Sequence, residues 1–507
     1  MPSHRIRIGI FWILIALLEA IPPYLNSVSG YIIHDLAETI YHAKEFTLGR
    51  LPYTEIFSHH FLGYVIPFWI VDEVFRLGTT EVFVMQWAYH MLSTMLVYCI
   101  VKNISGDFRF AALGAFASST AGWFPLFFGT TFNYQAYSIP LIYAVTYLIL
   151  TSFRADSRVR LGLAAAIQSF LVMGDQRCLV FLLLFSAAFS ELKKLAVLGS
   201  TLASFLAPLL VALCYLVYTD AISQFFEQTI LFPIFYRNAT FDGGGIREGI
   251  ALLSVGVSSE PFACAGFFGM AVMLLREKSG RIKVLLLALI VSSGIYVLSG
   301  GRFFPNYMQV MMAPLLLGAV LFPFYLKSSH LPMRAGFILI LILAVSSFWR
   351  VMGVDYRSRD AGILREISSV VSQNSSPGEN VLVWGYCPQV YVFSNRFSTF
   401  KDMGLITFAG GLFHIAPPGQ HEYGRQLMHQ FEEHIRSEPP RLIIIADELH
   451  GNVGQKFPLG CIFSSAEEDA KQDLNLIRPR LVNYDPIYTR EIRGVSIAIY
   501  KTKAASR

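Results

Sequence analysis

The sequence predicts a polytopic α-helical membrane protein of about eleven crossings, with interfacial helices and a small C-terminal α/β domain outside the cytoplasm. Three observations carry that prediction. Of 507 residues, 54% are hydrophobic and only 15% charged, where soluble domains average roughly 25% charged. The deficit is confined to residues 8–349, where runs such as 195–218 and 303–326 hold no charge at all. Such runs match the about 20 apolar residues that cross roughly 30 Å of hydrocarbon. Basic residues, finally, gather in alternate loops, as they do on the cytoplasmic side of membrane proteins. The net charge of +5 is accounted for by those loops and points to no nucleic-acid partner. The change of composition divides the chain into a transmembrane domain, 1–349, and a soluble extracytoplasmic domain, 350–507.

Arg5 and Arg7 hold the N-terminus inside, and 8–25 carries the chain out. Pro22-Pro23 ends this segment, and no small-x-small cleavage site follows it, so it reads as an uncleaved span. Residues 26–81 form the first external loop. Within it, 61–77 contains Asp72 and Glu73, costly at mid-membrane, and reads as an interfacial or re-entrant helix. The later crossings are 82–101, 109–127, 134–153, 161–174, 177–190, 195–218, 248–275, 284–299, 304–326 and 335–349. The inner loops then carry Lys102 and Arg109; Arg154, Arg158 and Arg160; Lys193 and Lys194; Arg276, Lys278, Arg281 and Lys283; and Lys327 and Arg334. Counting 61–77 as a crossing would put all of these on the outer side. The charge rule therefore supports both the re-entrant reading and an external tail. Loop 219–247 holds an amphipathic stretch at 221–236, and the tail has strand-like runs at 380–384, 442–446 and 495–500. Cys99, Cys178, Cys214 and Cys264 lie in apolar runs, and no cysteine spacing is of metal-binding type. Cys387 and Cys461 lie in the tail, where an oxidising compartment would allow them to pair.

The chemistry-bearing residues cluster on the external side. Leu36, Ala37, Ile40, Tyr41 and Leu48 recur at helical spacing, which predicts a helix over 36–48 lying on the membrane surface. Asp35 stands at its start. It is either a cap favoured by the free N–H groups or a general base for an acceptor hydroxyl. Asp175 and Arg177, in the turn 174–177, either pair with each other or meet a phosphate. Glu227 fits a solvated helix face. Glu260 falls inside an apolar run, where a carboxylate is a functional candidate unless Pro261 opens the helix there. Adjacent histidines such as His59 and His60 rarely ligate one ion, so no metal site is assigned. Asn238 begins a sequon that matters only in a eukaryotic secretory setting.

Asp35 after the first span, a surface helix, then Gly49, Pro52, Tyr53 and Glu55 in a G-x-x-P-Y-x-E order, then His59 and His60, form a motif. It resembles the GT-C glycosyltransferase superfamily, in the branch of the protein O-mannosyltransferases and aminoarabinose transferases. The run G-G-R-F-F-P-N-Y at 300–307, with Pro314, and P-G-E-N-V-L-V-W-G at 377–385 are similar to further elements of that family. The resemblance implies a GT-C-type fold in the plasma (inner) membrane and a hexosyl or pentosyl transferase. Its donor would be a sugar on a polyprenyl phosphate, among membrane lipids, and its acceptor an extracytoplasmic glycan, lipid or protein. It assigns Asp35 as the base of an inverting displacement. Arg302, Tyr307 and Arg177 become contacts to the donor phosphate, which an arginine can hold through two hydrogen bonds. Tyr53, Glu55, His59, His60, Asn133 and Asp175 become the substrate lining. Two positions depart from the family: 132–135 is Phe-Asn-Tyr-Gln where relatives often have a second acid, and Asn306 precedes Tyr307 where they have His. No cofactor is implied, and metal dependence stays open. The rival readings are a transporter or flippase of a lipid-linked sugar, and an oligosaccharide ligase or polymerase. A transporter calls for ionisable groups near the midplane and internal repeats, and no repeat is visible.

Overall fold

The computed structural model describes residues 2–29, 32, 34–123, 132–154, 157–234, 251, 254, 260–299, 305–326, 330–353, 359–384, 387–401, 422–448, 478–492 and 495–503. The membrane part is built from α1 (Pro2–Ser29), α2 (His34–Thr47), α3 (Ile66–Phe75), α4 (Thr79–Ser105), α5 (Phe108–Ala121), α6 (Tyr134–Ser152), α7 (Ser157–Gly174) and α8 (Leu195–Tyr218). It continues through α9 (Pro261–Arg276), α10 (Gly280–Ser299), α11 (Met312–Tyr325) and α12 (His330–Met352). Among the described residues, 6 helices are long and apolar enough to cross a membrane: Ile6–Val28, Thr79–Ser105, Leu195–Tyr218, Gly280–Ser299, Tyr307–Tyr325 and Met333–Met352. The chain is a polytopic helical membrane protein, as its composition predicts. α3 has 10 residues, about 15 Å at 1.5 Å per residue, and so is far too short to cross.

α11 sits at the centre. It is apolar on every side, and Met312–Leu321 is buried throughout, which is where such a helix must go. α9 crosses it at backbone contact: a Cβ on Gly269 would stand 2.1 Å from the Gly318 carbonyl oxygen, and one on Gly318 2.3 Å from that of Gly266. Small residues are what permit so close an approach between membrane helices.

Several expectations are corrected. α1 does not end at Pro22-Pro23 but runs on to Ser29 with both prolines inside it. Membrane bundles tolerate this because neighbouring groups can satisfy the freed backbone carbonyls. The expected span 177–190 is a 3-10 helix over Gln176–Ala188. At about 2.0 Å per residue its 13 residues rise about 26 Å. Side chains of its neighbours serve its carbonyls: Gln168 donates to Cys178 at 2.7 Å and Ser292 to Val180 at 3.0 Å. Glu260 does not lie within a helix. It precedes Pro261, the first residue of α9, and pairs with Arg350 at 3.1 Å. The apolar stripe of α2 faces protein: Leu36, Ala37, Ile40 and Tyr41 are buried, while Leu48 is exposed.

Leu36, Ala37 and Ile40 pack with Tyr53, Leu62, Phe68 and Phe132, and the tail covers Tyr41. The tail holds α13 (Arg359–Asn374), α14 (Pro388–Ser394) and α15 (Glu422–Ser437), with β1 (Asn380–Trp384), β2 (Phe397–Ser398), β3 (Leu442–Glu448), β4 (Tyr484–Ile492) and β5 (Val495–Thr502). The sheet order is β2-β1-β3-β5-β4. β1 is parallel to β2 and β3, and β5 is antiparallel to β3 and β4. Leu364, Ile367 and Val371 of α13 cover the inner sheet residues Val381, Val383, Ile444, Ile497 and Ile499, and Tyr41 of α2 joins that core. The Tyr41 and Tyr391 rings are 5.4 Å apart, and the Tyr41 hydroxyl accepts from Ser398 N–H at 2.9 Å. Cys387 is disulfide-bonded, and Cys99, Cys178, Cys214 and Cys264 are free. Cys461 and Asn238 lie outside the described residues.

Candidate functional site

Three pieces of chain meet under the tail: α2, the turn that follows it, and the turn between α7 and the 3-10 segment. α2 brings Asp35, partly exposed, in its first turn. Positions 35, 38, 42 and 45 follow at steps of three, four and three, so their side chains share one face. Along that face His42 Nε2 is 3.3 Å from Glu38 Oε1, and His42 Nδ1 is 3.2 Å from Glu45 Oε2. Arg50 Nη1 donates to Glu45 Oε1 at 2.9 Å.

The following turn is held in an unusual shape. Tyr53 has φ 68°, the left-handed region, at a cost of roughly 1–2 kcal/mol. Gln228, buried in the short helical stretch after α8, clamps it: Nε2 donates to the Tyr53 carbonyl at 2.7 Å, and Oε1 accepts from Ser58 N–H at 3.0 Å. The Tyr53 hydroxyl accepts from Leu62 N–H at 3.0 Å and donates to the His60 carbonyl at 3.3 Å. Gly63 then abuts α7, where a Cβ would stand 2.5 Å from the Met173 carbonyl oxygen. Only glycine allows that approach, which sets His60 and Tyr64 beside the third piece.

In that third piece Asp175 and Arg177 pair with each other. Nη2 is 2.7 Å from Oδ2 and Nε 3.0 Å from Oδ1, and Asp175 also accepts from the Tyr296 hydroxyl at 2.5 Å. The guanidinium lies 4.6 Å from the Tyr296 ring and 4.1 Å from that of Tyr307, a cation–π sandwich.

The electrostatics follow. Burial alone would raise the Asp175 carboxyl, but Arg177 and the Tyr296 hydrogen bond hold it below its ordinary value. Burial holds His60 below the usual histidine range, with Glu38 and Asp175 opposing it only in part. Burial also lowers His42, yet its bonds to Glu38 and Glu45 outweigh this and raise it to about 9. A histidine raised from its unfolded value of about 6.5 stabilises the fold fully below that pH and loses the contribution as pH rises through 9. The expected result is a loss on the order of 3 kcal/mol between pH 6.5 and 9.5. It should appear as a fall in unfolding temperature of the detergent-purified protein that is absent in His42→Gln. Equal pH dependence in the two proteins would remove the buried cation.

Tyr53, His59 and His60 thus share the turn after α2, and Asp175, Arg177 and Tyr307 pack on one another, while Asp35 stands in the first turn of α2. His59 stacks on His60 with ring centroids 4.0 Å apart. Glu55 is exposed and accepts from Leu51 N–H at 2.6 Å, shaping its own loop. Asn133 caps α6, accepting from Ala136 N–H at 2.9 Å, and its neighbours Phe132 and Tyr137 pack in one cluster with Tyr64 and Tyr307. Arg302 lies outside the described residues. Among the described residues no group of three or more His, Cys, Asp or Glu is placed to hold a metal ion. Glu38, His42, Glu45 and Gln228 were not singled out by their sequence context, although the three-four-three spacing of the first three with Asp35 was legible.

No protein-family model matches the sequence, and no curated protein does. Among solved structures, the chain is similar to ArnT from Cupriavidus metallidurans bound to undecaprenyl phosphate. The TM-score is 0.58 at 10% identity, over 98% of each chain. Against ArnT from the same organism in the apo state the TM-score is 0.51 at 10% identity, over 97% of this chain and 98% of that one. The likeness spans membrane bundle and tail together, so the chain has the fold of ArnT, the GT-C type.

Proposed function

We propose that this protein is a glycosyltransferase that moves a sugar from a polyprenyl-phosphate donor to an extracytoplasmic glycan, lipid or protein. The observation that supports the reading is the Asp175–Arg177–Tyr307 group, with Asp35 in the first turn of α2, on a fold that in ArnT binds undecaprenyl phosphate. Asp35 takes the proton of the acceptor hydroxyl as its oxygen attacks the anomeric carbon. The bond from that carbon to the phosphate oxygen breaks, and its electron pair leaves with polyprenyl phosphate. One carboxylate suffices for this inverting displacement. Arg177 donates Nε and Nη2 to Asp175. The Asp175–Arg177 pair is itself neutral, so Arg302 is assigned the net positive charge that the leaving phosphate needs. The N-terminus is cytoplasmic in this reading, and the tail faces outward in the inner membrane, where a disulfide at Cys387 is chemically at home.

A second reading, transport of a lipid-linked sugar, has one observation in its favour. Glu19 is fully buried within α1 and accepts from Thr94 Oγ1 at 2.5 Å, and ionisable groups at such depth often mark pathways. Reconstitution separates the two. In proteoliposomes holding a labelled polyprenyl-phosphate sugar and a lipid or glycan extract, transfer moves the label to a new product and releases polyprenyl phosphate. Label that changes leaflet on an intact donor would overturn the enzyme reading.

A further inference from the structure

The site holds a carboxylate that the displacement above does not use. His42 is fully buried between Glu38 and Glu45, each of them almost fully buried. Ionised carboxylates only accept hydrogen bonds, so an imidazole with both nitrogens against them donates twice and is a cation. Glu45 already has a cation in Arg50. Glu38 and His42 therefore form a separate, balanced pair, and charge balance in the stripe would survive the loss of both. Buried pairs are commonly no more stabilising than apolar residues of equal volume, so the fold alone does not require a pair at this place. Glu38 lies close enough to His60 and Tyr64 for its charge to act on both. It also stands one helical turn from Asp35, on the same face.

We propose that Glu38 is a second carboxylate of the site, held ionised by the buried His42 and directed at the His60 side, where it accepts a hydrogen bond from a substrate hydroxyl. Resting on the glycosyltransferase reading, this deepens it. Glu38 supplies an acid on α2 itself, where residues 132–135 have none. His42 is a positioning residue that acts through it. The hydroxyl belongs either to the transferred sugar or to the acceptor, and the two sources separate kinetically.

The test is Glu38→Gln in the full-length protein in proteoliposomes. Glutamine keeps an oxygen for His42 and fills the same space, so a structural role predicts transfer near the wild-type rate. The proposal predicts a loss of kcat/KM of roughly 10- to 100-fold, the worth of one hydrogen bond to a charged group. A raised KM for the lipid donor identifies a sugar hydroxyl, and a raised KM for the acceptor identifies the other source. His42→Gln is the second variant, with the pH profile as its readout. Glu38 has Asp35 and His42 on its own helix face, and His60 and Tyr64 beside it from the turn, with Asp175 and Arg177 next to His60. Losing the His42 cation should move the acidic limb of kcat/KM to higher pH. A structural role lowers the unfolding temperature and leaves that limb in place. Glu38→Gln within threefold of wild type, or an unmoved limb in a folded His42→Gln, overturns Glu38 and leaves the enzyme reading intact. A wild-type protein that transfers to no acceptor overturns both.

Discussion

Asp35→Asn is expected to abolish transfer, by roughly 10²- to 10⁴-fold in kcat, while the protein remains folded in the membrane. Two roles compete for this residue, and the substitution divides them. As a member of the first turn of α2, Asp35 meets the positive end of the helix dipole. Asparagine forgoes that charge, so the structural loss is at most about 1 kcal/mol. As a general base, Asp35 must take a proton from the acceptor hydroxyl, which a neutral amide cannot do. A large kinetic effect with an unchanged unfolding temperature is thus the signature of the base. Turnover within tenfold of wild type, with the labelled donor in excess, would strike Asp35 from the mechanism and leave the helix dipole as its whole account.

The fold was more legible than the site, for reasons of range. α8 is read from sequence at both ends, because Lys194 and Thr219 bound an uncharged run. β1 is likewise read correctly, and β3 and β5 are read to within two residues at one end. These are local signals, a period or a composition edge. β4 was missed because its sequence, YDPIYTREI, is polar and contains Pro486 beside a register shift at the sheet edge, where proline is tolerated. The apolar stripe of α2 was real, but its cover is non-local: Leu36, Ala37 and Ile40 pack with Phe132, Tyr137 and Leu216 from later spans, and Tyr41 meets Tyr391 and Phe397, some 350 residues on, which no window over the first loop contains. Glu38, His42 and Glu45 likewise look like a solvated face until the folded chain buries them. The 3-10 geometry of Gln176–Ala188 had no sequence signal of its own, since it depends on donors from Gln168 and Ser292 on adjacent helices.

Gly318→Val is expected to be the most destabilising single change in the bundle. The α9–α11 crossing leaves no room for any side chain: a Cβ at Gly318 would meet the Gly266 carbonyl oxygen at 2.3 Å and Met270 Cγ at 2.5 Å. The first of these is backbone and cannot rotate away. Relief requires the helices to part, and α11 is enclosed by the other spans and has nowhere to move without opening packing elsewhere. Overpacking of this kind costs about 3 kcal/mol or more. The consequence reaches the site, because α11 continues directly from the 3-10 segment Pro305–Met311, which carries Tyr307 under the Arg177 guanidinium. Purified Gly318→Val should therefore unfold at a lower temperature and lose transfer together. Gly294→Ala, in α10, is the control: nothing lies within 4 Å of the added methyl, and a glycine replaced inside a helix gains roughly 0.5–1 kcal/mol. If Gly318→Val melts with the wild type, the helices are not in backbone contact, and the alignment of Tyr307 with Arg177 needs another support.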